Sequence, residues 1–298
     1  MTPFSRPSVF TVPNGSWPTL LDCLCEKFPA IDRERWLDRF QRQRILDDQR
    51  NSLRADQRCQ VGMRVLYFRE VPEERAIPFR ETILYADEHL LVADKPHFLP
   101  VTPAGAYVRE TLLSRLIQLS GNIDLSPIHR IDRHTAGLVL FSVNRETRGL
   151  FQALFRQHAI HKTYTALAPA LPGIAFPLMR ATRIERGEPF VLSHETEGAP
   201  NSQTHITVAE RGETLWRYTL HPITGKKHQL RLHMAALGAP IVNDPMYPIY
   251  RPQAADDFSK PLQLLAQSLR FTHPLSGEIC EFESRFQLAE LAALNALG

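Results

Sequence analysis

A dense polar cluster runs directly into an apolar segment near the middle of the chain. Residues 129–135 contain two arginines, two histidines and an aspartate, and residues 136–143 are almost entirely apolar. Such a junction is typical of a loop that opens into a buried strand, because the apolar run must lie inside a sheet while the charged run must stay accessible. The pattern therefore predicts that these charged side chains are presented from the rigid edge of a sheet, where catalytic groups are often found.

Other apolar runs place this strand in a larger mixed sheet. Strands predicted at residues 83–85 and 90–93 suit a hairpin, and later strands alternate irregularly with helices. Because no regular strand–helix–strand rhythm is present, we expect an α+β fold with a mixed, mainly antiparallel sheet and flanking helices. The further predicted strands cover residues 137–143, 162–168, 203–209, 216–220 and 264–271, and the predicted helices cover residues 110–119, 145–158 and 228–237.

Residues 1–75 are expected to form a small, separate α/β domain. Leucines at helical spacing predict a helix that begins after residues 16–18, and a second helix over residues 32–43 places Trp36 and Phe40 on one face. Two short strands are predicted at residues 45–46 and 65–68. Residues 72–78 are proline-rich and charged, and are expected to lead into a second domain over residues 76–298.

The second predicted helix is unusually rich in arginine. Five arginines fall in or just after it, but Asp32, Glu34 and Asp38 alternate with them. The helix is therefore either an RNA-binding surface or a solvated charged face. The arginines are Arg33, Arg35, Arg39, Arg42 and Arg44.

Composition narrows the class of protein. A chain of 298 residues with 43% hydrophobic content can bury a sizeable core. No run approaches the roughly eighteen apolar residues of a membrane span, and residues 1–15 lack a signal-peptide pattern, so we expect a cytoplasmic protein. The net charge of +3 permits a nucleic-acid partner without requiring one. The four cysteines, which form no CxxC pair, are expected to be reduced.

Asp132 is the carboxylate at the centre of the polar cluster. The adjacent cations Arg130 and Arg133 favour its ionised form, which can serve as a nucleophile or a base. Two other interpretations stay open: a surface ion pair with either arginine, or a metal site that also includes His129 and His134. The two arginines would repel a bound cation, so we expect no metal.

Four segments of the chain resemble, in order, the motifs of a known enzyme family. Residues 129–138 read HRIDRHTAGL and resemble the H-R-L-D-x-x-T-S-G-L signature of the RluA family of pseudouridine synthases. Residues 87–96 resemble its first motif, residues 155–167 its K-x-Y-x-A motif, and residues 224–247 its T-G-R-x-H-Q-I-R-x-H motif. The resemblance implies the pseudouridine synthase catalytic fold. It also implies isomerisation of specific uridines in ribosomal or transfer RNA without any cofactor, by a protein we expect to be monomeric.

The resemblance assigns roles to individual residues. It implies that Asp132 is the essential catalytic carboxylate and that Arg231 is its partner. Tyr164 is expected to pack against the target base and to assist proton transfer. Arg130 is expected to fill the gap left when the target uridine is flipped out of the RNA stack. The other residues expected to contact RNA are His129, Arg133, Lys162, Lys226, Lys227 and His228.

Taken without the resemblance, the same residues have plainer interpretations. Tyr164 in an alternating strand is an ordinary packing residue, and Arg231 in a basic run is an ordinary solvated or phosphate-contacting cation. A non-catalytic RNA-binding protein and a metal-dependent hydrolase are the alternative functions.

The chain also departs from the family pattern at several positions, and its N-terminal region has a resemblance of its own. Phe98 stands where the family usually has glycine, and a phenylalanine cannot make the same turn freely. The N-terminal helices and strands resemble the S4-like RNA-binding domain first known from a ribosomal small-subunit protein. The other departures are Ile131, Ala136 and Thr102 in place of the usual leucine, serine and histidine.

Overall fold

The chain divides into two compact units. The structure, a computed structural model, describes residues 7–71, 74–252, 254 and 257–291. Contacts separate residues 1–73 from residues 74–298. The boundary lies close to the one expected between residues 75 and 76. Of the linker expected over residues 72–78, residues 72 and 73 lie outside the described residues, and the remainder belongs to the second unit.

The N-terminal unit packs two helices against a small antiparallel sheet. The predicted helices are confirmed as α1 (Leu20–Lys27) and α2 (Arg33–Gln41), and the predicted strands as β2 (Ile45–Leu46) and β3 (Arg64–Tyr67). A strand not predicted from sequence, β1 (Ser8–Thr11), also pairs with β3. Trp36 and Phe40 are both buried in the core, as their spacing on one helix face indicates.

The second unit is built on one long mixed sheet, which confirms the predicted fold class. Its strands are β4 (Thr82–Ala86), β5 (Leu90–Lys95), β6 (Ser126–Pro127), β7 (Ala136–Ser142), β8 (His161–Pro169), β9 (Leu178–Arg186), β10 (Ser193–Thr196), β11 (Ser202–Arg211), β12 (Leu215–Pro222), β13 (Leu264–Thr272) and β14 (Ile279–Glu283). The strand order is β10-β9-β11-β12-β8-β13-β7-β5-β4, with β14 paired to β13 and β6 paired to β7. Within the described residues, β13 and β7 pair in parallel, whereas the other neighbours are antiparallel.

Three helices accompany this sheet within the described ranges, and each overlaps a predicted one. They are α3 (Leu112–Ser120), α4 (Arg148–Arg156) and α5 (Gln229–Ala236). Helix α3 begins after Thr111, whose hydroxyl accepts a hydrogen bond from the Ser114 amide, and ends at Gly121 in a left-handed conformation. These caps explain the bounds of α3.

Gly137 allows two central strands to approach closely next to the polar cluster. Its φ of +110° is unfavourable for other residues, and a Cβ placed there would lie 2.2 Å from the carbonyl oxygen of Ala266 in β13. Strand β7 is buried along its whole length, so its first residues cannot shift outward to relieve such a clash. Glycine at this position therefore fixes where the preceding loop leaves the sheet.

Candidate active site

Asp132 lies in the loop between β6 and β7, where the sequence predicted a loop opening into a strand. The Thr135 amide donates to the Asp132 carbonyl at 3.2 Å, which closes a turn around the aspartate. The Asp132 side chain is 25% exposed. It faces a cleft of about 630 Å³ that is also lined by Tyr164, Arg231 and part of this loop, including Arg130 and Thr135. A partly buried carboxylate in a cleft of this size is a candidate catalytic group.

The turn after β5 holds the residues that follow Asp132. Lys95 Nζ donates to the Arg133 carbonyl at 3.2 Å, and the His97 ring bonds the His134 carbonyl through Nδ1 at 2.7 Å. In return, Arg133 Nε donates to the Phe98 carbonyl at 3.0 Å. The loop that carries Asp132 is therefore bonded to a neighbouring turn through backbone atoms of both segments, which restricts the positions open to Asp132.

Phe98 replaces the family's usual glycine without losing the turn conformation. Its φ is +66°, in the left-handed region that glycine adopts freely. The Phe98 side chain is buried despite this strained backbone conformation: it is 1% exposed, and its ring packs against Phe79, Phe258 and His134. The departure noted in the sequence therefore adds an aromatic contact to the catalytic loop through His134.

Arg231, from α5, connects Asp132 to a second carboxylate. Its Nη1 donates to Asp132 Oδ2 at 3.2 Å, while Nε and Nη2 donate to the two carboxylate oxygens of Asp244 at 2.8 and 2.6 Å. The Arg231 side chain is 1% exposed. Burial alone would lower the pKa of this guanidinium, but the hydrogen bonds and charges of Asp244 and Asp132 outweigh it and raise the pKa above its usual value. Arg231 is thus a permanent buried cation that Asp244 orients.

The electrostatic surroundings keep Asp132 ionised. Burial would raise the pKa of its carboxyl, but the positive charges of His228 and Arg231 more than compensate, and the pKa lies below its usual value. Burial lowers the pKa of His228 to about 4, so at neutral pH Arg231 supplies this charge. The expectation of an ionised Asp132 is therefore met, but the stabilising cation comes from α5, far along the chain from Arg130 and Arg133.

His228 is fixed beside Asp132 by Tyr247. The His228 Nε2 atom lies 3.8 Å from Asp132 Oδ1. Its Nδ1 lies 2.8 Å from the Tyr247 hydroxyl. The same hydroxyl lies 3.1 Å from the Ser193 carbonyl and accepts from the Ser193 amide at 2.9 Å. Tyr247 thus holds the His228 ring in place through contacts with the backbone of β10.

Tyr164 lies on the floor of the cleft. It belongs to β8, where it pairs with Ala266 of β13, and it packs against core residues on both sides. Burial, and then the charge of Asp132, raises the pKa of its phenol above the usual value. The hydroxyl therefore stays protonated at neutral pH. Tyr164 thus offers a flat ring and a hydrogen-bond donor near Asp132.

The structure separates the residues predicted to contact RNA into two groups. Arg130, Lys162, Lys226, Lys227 and His228 line the cleft together with Asp132. His129 also lines it, but its Nε2 accepts a hydrogen bond from the Leu140 amide and its ring stacks on Phe155.

Arg133 lies outside the lining of the cleft in the described part of the chain. Its guanidinium lies over the Tyr107 ring, 4.7 Å from the centroid, and donates to Phe98. The contacts of Arg133 and His129 favour structural roles over the predicted RNA contacts. Residues close together in this polar run thus have different surroundings: Arg130 lines the cleft, whereas Arg133 does not. Composition alone cannot reveal that difference.

Sequence reasoning gave no role to three residues of the site. Asp244 and Tyr247 fall inside the matched 224–247 segment, and His97 follows the 87–96 segment. Their contacts join segments far apart in sequence, so only the motif match could have indicated Asp244 and Tyr247, and no local pattern marks His97.

The alternative metal site is not assembled in the described residues. No group of three or more His, Cys, Asp or Glu side chains there is arranged to hold an ion. His134 instead packs on Phe98, and burial lowers its pKa to about 3. Among the helices in the same described ranges, none is both long and apolar enough to span a membrane.

Comparison with known proteins agrees with the family resemblance seen in the sequence motifs. Residues 89–236 match the family model described as RNA pseudouridylate synthase. The chain is 32% identical over 205 residues to the dual-specificity RNA pseudouridine synthase RluA of Vibrio cholerae, a match that covers 65% of this chain and 78% of that protein.

A second relative and a solved structure agree with this match. The chain is 31% identical over 238 residues to ribosomal large subunit pseudouridine synthase D of Nitrosomonas europaea, covering 76% of this chain and 67% of that protein. Human RNA pseudouridylate synthase domain containing 1 shares the fold, with a TM-score of 0.55 and 22% identity over 73% of this chain and 94% of that one. The chain belongs to the RluA family of RNA pseudouridine synthases.

Proposed function

We propose that Asp132 is the catalytic carboxylate with which this chain converts uridine in RNA to pseudouridine. The observation that carries the proposal is the arrangement around it: Arg231 donates to Asp132 at 3.2 Å, and Tyr164 lines the same cleft. A fixed, buried cation next to a carboxylate is a preorganised electrostatic environment, which needs little rearrangement during reaction.

The reaction cleaves the N-glycosidic bond, turns the uracil and rejoins it to the ribose through carbon 5. The product is an isomer, because the proton lost from carbon 5 is balanced by the one gained at nitrogen 1. Asp132 can attack the anomeric carbon, attack the uracil ring or remove a ribose proton. Each route begins with an ionised carboxylate, and the lowered pKa of Asp132 provides it at neutral pH.

Tyr164 supports the base in this scheme. Its ring provides a planar surface for the uracil, and its raised pKa keeps the hydroxyl protonated, so in the resting enzyme it is a donor and not a base. The role assigned to Tyr164 is thus packing together with hydrogen-bond or proton donation.

Cations around the cleft support binding of an extruded nucleotide. Arg130 is exposed and lines the cleft, which suits it to replace the flipped uridine in the RNA stack. Lys226 and Lys227 precede α5 in the lining and suit contact with phosphates. We infer a ribosomal or transfer RNA substrate, and the name of the Nitrosomonas relative, which specifies the large ribosomal subunit, supports ribosomal RNA.

The experiment is pseudouridine mapping of ribosomal and transfer RNA that lacks the modification, with and without the purified protein. We expect new pseudouridine at one or a few defined positions. Absence of new pseudouridine in either RNA class, with a protein that binds both, would contradict the proposal and favour a non-catalytic RNA-binding protein.

A further inference from the structure

The turn between β9 and β10 carries an exposed aromatic ring. Phe190 is 63% exposed, although a phenylalanine gains most of its stabilising free energy by burial. The turn is closed, because the Gly187 amide donates to the Leu192 carbonyl at 3.1 Å and the Leu192 amide donates to the Pro189 carbonyl at 2.9 Å. The ring is therefore displayed from an ordered turn.

Two cations lie close to Phe190, one at its ring and one at its backbone. The Arg186 guanidinium lies 5.5 Å from the centroid of the Phe190 ring. Lys227, which lines the cleft, donates from Nζ to the Phe190 carbonyl at 3.2 Å. Burial lowers the pKa of Lys227, and the charges of Asp132, Arg130 and Arg186 are near enough to act on it as well. Phe190 thus adjoins the cationic rim of the active-site cleft.

A chain of contacts fixes this turn relative to the catalytic carboxylate. Ile184 and Tyr247 pack with Leu232 of α5, the helix that carries Arg231, and Leu192 packs against this cluster. The Tyr247 hydroxyl bonds both backbone groups of Ser193 and the ring of His228, which lies beside Asp132. A ligand held at Phe190 would be held in register with Asp132.

An exposed aromatic ring with an arginine beside it is a typical surface for an unstacked base. Extruding a uridine breaks the stacking of its neighbours, and an enzyme gains affinity if it replaces one of those contacts. We propose that Phe190 and Arg186 form a stacking subsite for a base adjacent to the flipped uridine. This inference rests on the proposed function, because the cleft at Asp132 must receive the flipped nucleotide. The cations favour an RNA over an apolar protein partner.

Affinity for bulk transfer RNA, measured in an Asp132→Asn background, tests the subsite without turnover. We expect Phe190→Ala to weaken binding by about 5- to 150-fold, the effect of losing one base–aromatic stack, and Phe190→Trp to retain it. The salt dependence should keep its slope in Phe190→Ala but become shallower by about 0.7 in Arg186→Ala if Arg186 meets a phosphate. The matched control is Ile279→Ala, which removes an equally exposed apolar side chain, 65% exposed, outside the cleft lining.

Stacking itself is observed with a single-stranded oligouridine that contains one 2-aminopurine, whose fluorescence falls when the base stacks. We expect quenching with the Asp132→Asn protein and a loss of that quenching with the added Phe190→Ala change. Equal affinity and equal quenching with and without the Phe190 ring would overturn the subsite. Pseudouridine formation by the wild-type protein, measured in parallel, tells this failure apart from failure of the proposed function.

Discussion

The arginines of the N-terminal unit and the cations of the cleft differ in what already neutralises them. In the N-terminal unit, Glu70 lies within ion-pair distance of Arg39, Arg42 and Arg44, and Asp38 also pairs with Arg42. Arg33 and Arg35 of the same unit pair with Asp22 and Asp32.

In the cleft, the balance of charge is reversed. The cleft is lined by four further cations, Arg130, Lys162, Lys226 and Lys227, whereas the nearby carboxylates Asp132 and Asp244 share the charge of Arg231. Arginine content alone favours the arginines in and just after α2 as an RNA-binding surface. Their ion pairs favour the cleft instead, where more positive charge is left for phosphates.

Apart from the loss of Asp132 itself, the largest effect is expected at Arg231. Arg231→Lys keeps a charge but loses the two parallel hydrogen bonds to Asp244. Because these bonds orient the side chain, the cation is no longer held next to Asp132. We expect the single-turnover rate to fall by about 10²- to 10³-fold, as when one preorganised donor is removed. Single-turnover assays at saturating RNA would measure this.

The control for Arg231→Lys is Arg180→Lys in β9. Arg180 also pairs with a partly buried carboxylate, Glu195, but does not line the cleft. Both variants should lose some thermal stability. Equal rate losses in the two would mean that Arg231 acts through stability alone.

The sequence predicted the central elements and missed those at the periphery. The apolar runs of β5 and β7 are buried throughout and were recognisable as strands. Strand β9 was missed because polar and basic residues interrupt its alternation, and β14 was missed because three of its five residues are exposed. An alternating apolar pattern arises where one face of a strand is buried. Because these two strands are only partly buried, their sequences carry little of that pattern.

In the candidate site, the motif match predicted which residues come together, but not the contacts that hold them. Asp132, Tyr164 and Arg231 come together in one cleft, as the resemblance implied. The link from Arg231 to Asp244 was not foreseen, because pairing between distant segments leaves no local pattern. Arg133 was expected to contact RNA, yet it bonds Phe98 inside the loop scaffold.

A smaller effect, dependent on pH, is expected at Lys162. Burial lowers the pKa of its ammonium to about 8, so the group is charged at neutral pH and loses its proton as the pH rises through that value. RNA affinity should therefore decrease between about pH 7.5 and 9, with a salt slope shallower by up to about 0.7. Affinity measured across this range, at several salt concentrations, checks the prediction.

Lys162→Arg separates this effect from other titrations in the cleft. Arginine stays charged throughout, so the decrease above pH 7.5 should disappear in the variant. His129, whose pKa burial lowers to about 3, remains neutral, whereas burial lowers the pKa of Lys95 to about 7. A decrease that persists in Lys162→Arg would assign the titration to Lys95 or another group.

The smallest effect is expected in the N-terminal unit. The double change Arg33→Ala and Arg35→Ala removes two cations already paired with Asp22 and Asp32, so RNA affinity should change less than with Lys226→Ala in the cleft. Salt-dependent binding would compare the two. A larger loss from the arginine pair would mean that RNA displaces the internal ion pairs and that α2 is a primary binding surface.

The most direct test of the account is Asp132→Asn, which removes the charge at the centre of the cleft and preserves the shape of the side chain. Pseudouridine formation should be measured in a single turnover on an RNA that the wild-type protein modifies, alongside the affinity for that RNA. We expect the rate to fall by at least about a thousandfold while affinity stays nearly unchanged, because the carboxylate acts in the chemistry and the cations of the rim bind the phosphates. A variant that still forms pseudouridine at close to the wild-type rate would contradict the assignment of Asp132.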